Sequence, residues 1–258
     1  MDDELKIKEQ IVEIGKRIWQ RGYVASNDGN ITVMLNDNDI LTTPTGVSKG
    51  FMTEDMIIKC DKTGKVLSGN PKYQPSSELK MHLEVYKERP DIKSSIHAHP
   101  PYATSFAVAG IPLNKCVLPE AILVIGAVPI APYGLPSTME IPDNIRPFLK
   151  NSDVILLENH GALTMGNDLL NAYHKMETLE HTASIVWKAI QLGNMNVLSG
   201  EERDRLMSLR DKYNLTGKVI LCDATPMQIH SSIQGRSGIN EQIISDIVEK
   251  VLLRLKNN

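Results

Sequence analysis

Apolar residues recur along the chain with two periods, and the alternation between them predicts the elements. Leu5, Ile7, Ile11, Ile14 and Ile18 stand among charged residues at helical spacing, so an amphipathic helix runs to about Gly22. A polar turn, Ser26-Asn27-Asp28-Gly29-Asn30, precedes Ile31, Val33 and Leu35, which alternate as a strand does. Ile40-Leu41 and Met56-Ile57-Ile58 are short strand candidates, separated by the loop Thr42-Thr43-Pro44-Thr45-Gly46. Asp61-Lys62-Thr63-Gly64 reads as a hairpin turn. Helices are expected over 76–88, with serine at the start, over 101–109, stopped by Gly110, and over 168–192. Strands are expected over 94–99 and 154–157. Short strands alternating with helices predict an α/β sheet with helices packed on it.

Past Ala224 the pattern changes. Residues 224–240 hold Pro, Gly and Ser with few large apolar groups, which is linker composition, so a domain over 1–223 is expected. In 241–258, Ile243, Ile244, Ile247, Val248, Val251, Leu252 and Leu255 recur at spacings of three and four. Asn240 is a suitable N-cap for that helix. A helix this short is marginal alone in water, so its apolar stripe needs a partner.

Composition narrows the class. With 41% hydrophobic and 23% charged residues the chain is an ordinary globular one. The net charge of -3 argues against nucleic acid as the main partner. The most apolar stretch, 116–135, is interrupted by Pro119, Glu120, Pro129 and Pro132, so no membrane span is expected. The polar start carries no secretory signal. Cys60, Cys116 and Cys222 are odd in number and widely spaced, which predicts free thiols in a reducing interior.

The strongest chemical signal is His97-Ala98-His99. On a strand both imidazoles share one face, with Cα atoms ~6.6 Å apart, and two ring nitrogens can converge on one zinc. The plain alternative is a pair of surface or core histidines. His160, in Glu158-Asn159-His160-Gly161 at a strand end, is the third candidate; three histidines with an open position make a catalytic zinc site. Glu78, in the first turn of its helix, is either a dipole-favoured acid or an acid/base beside the metal. Ser76 and Ser77 are either N-caps or part of an anion site. His82, His174 and His181 read as helix-surface or packing histidines, and His230 gets no role.

In this order the motifs Asp28-Gly29-Asn30, Thr43-Pro44-Thr45-Gly46, Ser76-Ser77-Glu78, His97-Ala98-His99 and Asn159-His160-Gly161 resemble the class II aldolase/adducin family, most closely its L-fuculose-1-phosphate aldolase branch. Leu198-Ser199-Gly200-Glu201-Glu202 and Lys212-Tyr213-Asn214-Leu215 resemble the family's C-terminal segment. The resemblance implies a three-layer α/β/α domain with a mixed central sheet, assembled as a homotetramer with sites between subunits. It implies that His97, His99 and His160 bind one Zn2+ and that Glu78 is the acid/base. It further implies that Asn30, Thr45, Gly46, Ser76 and Ser77 hold a substrate phosphate, with Gly29 allowing close backbone approach. Tyr213 corresponds to a tyrosine that acts on the aldehyde-side oxygen.

The implied reaction is cleavage of a ketose 1-phosphate of the fuculose, rhamnulose or ribulose type. Its products are dihydroxyacetone phosphate and a short aldehyde such as lactaldehyde. Sugar-phosphate 4-epimerases on this fold resemble the chain but use aspartate where Glu78 stands. Dehydratases and decarboxylases share the scaffold. An adducin-like interaction module lacks the zinc site, whereas this chain retains all three histidines. One departure is Val117-Leu118-Pro119-Glu120, where fuculose aldolases carry a tyrosine; Glu120 is the residue placed to face the pocket instead. The helix expected over 241–258 is similar to peptides that target enzymes to bacterial microcompartments, which makes a shell protein its expected partner and folding back on the tetramer the alternative.

Overall fold

A computed structural model describes residues 3–226. Its centre is an eight-stranded sheet, built from β1 (Asn30–Met34), β2 (Asp39–Thr42), β3 (Ile58–Asp61), β4 (Val66–Ser68), β5 (Ser94–Ala98), β6 (Ile130–Ala131), β7 (Val154–Leu157) and β8 (Gly161–Gly166). The strand order is β4-β3-β2-β1-β5-β8-β7-β6. All neighbours are antiparallel except β6 and β7, so the sheet is mixed as expected.

The alternation of apolar side chains sorts the helices into two layers. On β7, Val154 and Leu156 join one apolar cluster, while Ile155 and Leu157 join the cluster on the opposite face. The first face is covered by α1 (Asp3–Gln20), α3 (Pro101–Ala109) and α6 (Leu169–Gln191), through Ile11, Phe106 and Met176 among others. The second is covered by α2 (Leu79–Glu88) and α5 (Glu140–Leu149), through Met81, Val85, Ile145 and Leu149. The three-layer α/β/α arrangement is therefore present. A short α4 (Pro119–Val124) and the terminal α7 (Gly200–Met207) and α8 (Leu209–Lys212) complete it. Among the described residues no helix is long and apolar enough to cross a membrane.

Local signals acted as read in most places. Gly110 stops α3 in the left-handed conformation, and Asp168 caps α6 by accepting the Asn171 N–H. Ser199 and Glu202, for which no helix start was read, form a capping box at α7.

Three expectations are corrected. The strand expected from Met56 begins at Ile58, because Glu54–Met56 closes a 3-10 turn in which Met56 N–H donates to Thr53 O. The helix expected from Ser76 begins at Leu79; Ser76 and Ser77 lie in the loop before it. The cysteines are not all free: Cys116 and Cys222 form a disulfide, while Cys60 is free and buried. The C-terminal stretch returns beside the loop preceding α4, where Asp223 N–H donates to Asn114 O and Cys116 N–H to Asp223 O. That pairing sets the two Cα atoms 5.2 Å apart, inside disulfide range. The compartment argument drawn from free thiols loses its footing with it. The linker expected over 224–240 and the helix over 241–258 lie, beyond Pro226, outside the described residues, as does His230.

Candidate metal centre

The sheet register assembles the site at one end of three strands. Ala98 on β5 pairs with Ala162 on β8, and Asn30 on β1 pairs with His97 on β5. His99 has just left β5, and His160 sits in the three-residue turn before β8, so the two meet across that pairing. His97 and His99 share a face as the strand period requires, while Ile96 and Ala98 go to the opposite apolar cluster.

Two glycines make the approach possible. A Cβ on Gly161 would lie 2.5 Å from His99 Cδ2 and 2.6 Å from Ala98 O. Gly29 adopts φ +75°, and a Cβ there would meet Val24 and the His97 carbonyl. Asn159, the residue before His160, also takes a left-handed conformation, φ 53°, which asparagine tolerates.

The ring nitrogens of His97, His99 and His160 that could hold an ion all lie within 4.8 Å of one another. Second partners orient them. His97 Nδ1–H donates to Ala162 O at 2.9 Å, which leaves its Nε2 as a lone pair. His99 turns Nδ1 toward the Asp28 carboxylate at 3.4 Å, so its Nε2 also faces inward. The two Nε2 atoms stand 3.0 Å apart. With the tautomers that Ala162 and Asp28 favour, both nitrogens present lone pairs that a cation would bridge. Burial holds the His97 pKa well below the ordinary histidine value, and the neighbouring His160 and His99 push the same way. Burial likewise lowers His160, against the opposing pull of Glu78. Neutral imidazoles are the form that ligates a metal. The residues therefore fit a divalent ion.

Glu78 stands over this triad. It is the N-cap residue just before α2, yet its carboxylate caps nothing. It accepts from Asn30 Nδ2 at 2.8 Å through Oε2, which is 3.4 Å from His97 Nε2. Its Oε1 is 3.3 Å from His160 Nε2 and takes part in no hydrogen bond. His160 Nδ1 is likewise buried without a partner. Such orphaned buried atoms mark where a bound group completes the site.

A polar cavity of about 220 Å³ opens beside the triad. Of the expected residues, Gly29, Asn30, Thr45, Ser76, Ser77, Glu78, His99 and His160 line it, and His97 lies fully buried behind. The Thr45 and Ser76 loops are tied together, Thr45 N–H donating to Gln74 O and Ser76 N–H to Thr43 O. Gly46 follows Thr45 at φ +72° with open space where a Cβ would be. Tyr213 is not brought into the cavity of its own chain; it is exposed at the end of α8. Glu120 lines a different cavity, with Arg21, Tyr23 and Glu177. Asn30 is engaged at both ends of its amide, by Glu78 and by His82, which leaves one Nδ2 hydrogen for a ligand.

Lys49 was not singled out by sequence, and His82 was read only as a helix-surface or packing histidine. Lys49, 1% exposed, donates to Asn27 O and Val47 O beneath the cavity loops, and burial pulls its pKa down to about 8. His82 is buried and bonded to Asn30, while His174 and His181 are exposed as expected. The position of His82, four residues after Glu78, was the available signal.

Residues 9–187 match the family model described as the Class II Aldolase and Adducin N-terminal domain, and the chain belongs to that family. An L-fuculose phosphate aldolase of Methanococcus maripaludis is 34% identical over 176 residues, 68% of this chain and 93% of that protein. A 3-oxo-tetronate 4-phosphate decarboxylase of Haemophilus influenzae is 32% identical over 186 residues, covering 70% of this chain and 87% of that one. Among solved structures, an L-fuculose 1-phosphate aldolase superposes with TM-score 0.73 at 31% identity, over 81% of this chain and 97% of that chain. Escherichia coli YgbL superposes with TM-score 0.75 at 28% identity, over 80% and 100%.

Proposed function

We propose that the protein is a zinc-dependent aldolase that cleaves a ketose 1-phosphate to dihydroxyacetone phosphate and a short aldehyde. The observation that carries this reading is the Glu78 carboxylate, set 3.4 Å from His97 Nε2 and 3.3 Å from His160 Nε2 with one oxygen free of hydrogen bonds. His97, His99 and His160 are the ligands, and three imidazoles favour zinc. Zinc, when bound, supplies Lewis-acid polarisation of the substrate carbonyl.

The chain's own residues do the rest. Glu78 moves a proton at the carbon from which the broken bond departs, and its free Oε1 is the atom that carries it. Thr45, Gly46, Ser76 and Ser77, with the remaining Asn30 hydrogen, hold the phosphate away from the reacting carbons. Binding energy gathered there orients the bond to be broken. Tyr213 serves the site of a neighbouring copy in a homotetramer, a role its exposure in the single chain leaves open to it.

A second reading is favoured by the similarity to a 3-oxo-tetronate 4-phosphate decarboxylase. Decarboxylation also leaves an electron pair on a carbon next to a carbonyl, so Glu78 would serve it in the same way. The test is incubation of zinc-loaded protein with a panel of ketose 1-phosphates and 3-oxo-tetronate 4-phosphate, assaying dihydroxyacetone phosphate and carbon dioxide separately. Dihydroxyacetone phosphate formed from a ketose 1-phosphate without carbon dioxide supports the aldolase. Dihydroxyacetone phosphate and carbon dioxide released together, from 3-oxo-tetronate 4-phosphate alone, replace it with the decarboxylase, because loss of that substrate's carboxylate leaves the same ketone phosphate. Glu78→Gln is expected to bind metal normally and lose turnover by roughly 10²–10⁴-fold.

Residues 241–258 are proposed, on their resemblance to peptides that target enzymes to microcompartments, to dock on a shell protein and carry the enzyme into its lumen. Residues 224–258 fused to a fluorescent protein should then gather into foci in cells making the shell, and diffuse fluorescence would reject this.

A further inference from the structure

His82 lies one turn beyond Glu78 on α2, is fully buried, and has no part in the chemistry above. It drops onto a polar strip of its sheet face, where Thr32 of β1 stands opposite Ser95 of β5, next to the Asn30–His97 pair. Its Nε2 is 2.5 Å from Asn30 Oδ1, and its Nδ1 contacts Ser95 Oγ.

The direction of every bond in this line follows from its last member. A carboxylate oxygen only accepts, so Asn30 must present Nδ2–H to Glu78 Oε2. That turns Oδ1 toward His82, and Nε2 must therefore carry the ring proton. Nδ1 is then a lone pair, and the Ser95 hydroxyl must donate to it. Behind Ser95, Thr32 Oγ1 is 3.2 Å from Ser95 Oγ, and the Tyr86 hydroxyl is 2.7 Å from Thr32 Oγ1. Each hydroxyl can thus donate to the next, all pointing toward Glu78. Burial lowers the His82 pKa to about 3 and raises that of Tyr86, so both stay neutral as the line requires.

We propose that this buried line, Tyr86–Thr32–Ser95–His82–Asn30, is a positioning device for Glu78. It locks the Asn30 amide with its N–H toward Oε2, and so leaves Oε1 aimed at the metal centre. A flipped amide would set a carbonyl oxygen against a carboxylate oxygen. His82 and Ser95 are positioning residues that act through Asn30. The kinetic consequence rests on the reading of Glu78 as the acid/base; the bond directions do not.

Two measurements on the zinc-loaded full chain test the device. Long-range 1H–15N correlation of histidine-labelled protein, with the His82 signals identified by their loss in His82→Gln, should find the neutral Nε2–H tautomer. A proton on Nδ1, or a charged ring, overturns the proposal whatever reaction the enzyme performs. Turnover of the ketose 1-phosphate is the second measurement. Ser95→Ala frees Nδ1 to take the proton, and kcat should fall by roughly 10²-fold with zinc content unchanged. Ser95→Thr, which restores a hydroxyl, should recover most of it, and His82→Gln, which keeps a donor toward Asn30, should retain more turnover than His82→Leu. Folded, zinc-loaded Ser95→Ala with wild-type kcat overturns the proposal. Should the wild-type protein turn over nothing in the panel, the proposed function fails, and the tautomer alone decides the device.

Discussion

Replacing Gly161 by alanine tests how closely the backbone must approach the triad. The added Cβ would stand 2.5 Å from His99 Cδ2, 2.6 Å from Ala98 O and 3.3 Å from His97 Cε1. Unstrained carbon contacts begin near 3.5 Å, so relief requires a displacement of about 1 Å, shared between β8 and the segment that carries His97 and His99. Gly161 is absent from the residues at positive φ, so alanine brings a clash without a backbone penalty. Overpacking of this kind costs about 1–3 kcal/mol. Because the displaced atoms are a ligand ring and the carbonyl beside it, zinc affinity should fall by roughly 10–100-fold, the loss usual when ligand support is disturbed. Urea unfolding of the metal-free protein and competitive zinc titration of the folded variant separate the two effects. A Gly161→Ala protein with the wild-type urea midpoint and the wild-type zinc affinity would refute the close approach.

Three other outcomes are expected. His82 is held neutral in the folded state with a pKa of about 3, against about 6.5 when unfolded, so its stabilisation is full above pH 6.5 and is lost as pH falls, by about 2 kcal/mol at pH 5. Urea unfolding between pH 5 and 8 should give a smaller loss for His82→Gln than for the wild type; parallel curves would contradict it. Asp153, 1% exposed, accepts from Arg89 and Lys175 at 2.8 Å each, and Asp153→Asn should cost about 3–5 kcal/mol in the same assay, with less than 1 kcal/mol counting against a buried ion cluster. Cys222→Ser should destabilise by about 2–5 kcal/mol and abolish the effect of dithiothreitol on unfolding, whereas a wild-type protein indifferent to dithiothreitol would contradict the disulfide.

What the sequence made legible is what depends on local period. The spacing in His97-Ala98-His99 put two rings on one strand face, and the same rule put Ile96 and Ala98 into the core. Asp168 and Gly110 marked helix ends because capping acts within a few residues. His160 joined the triad only through the Ala98–Ala162 register, which no local pattern encodes; there the family motif supplied what periodicity could not. Glu78 looked equally like a helix-start acid, and the choice was made by Asn30, forty-eight residues away, which draws its carboxylate off the helix end.

The losses have the same origin. Cys116 and Cys222 are separated by 106 residues, and their meeting depends on a C-terminal return that follows no periodicity. His82 has the spacing of a packing residue and is one by burial, yet its partners come from two strands. Lys49 carried no signal in the sequence, because the loops of Asn27 and Val47 that close over it are brought there by the fold.

Zinc K-edge absorption on the metal-loaded protein, together with the zinc content of His97→Ala, His99→Ala and His160→Ala, bears most directly on whether three imidazoles share one ion. One zinc per chain is expected, with three imidazole nitrogens at about 2.0–2.1 Å, and each substitution should lower the affinity by orders of magnitude. A zinc stoichiometry well below one, or wild-type zinc binding after loss of His160, would mean that the three rings do not form a metal site.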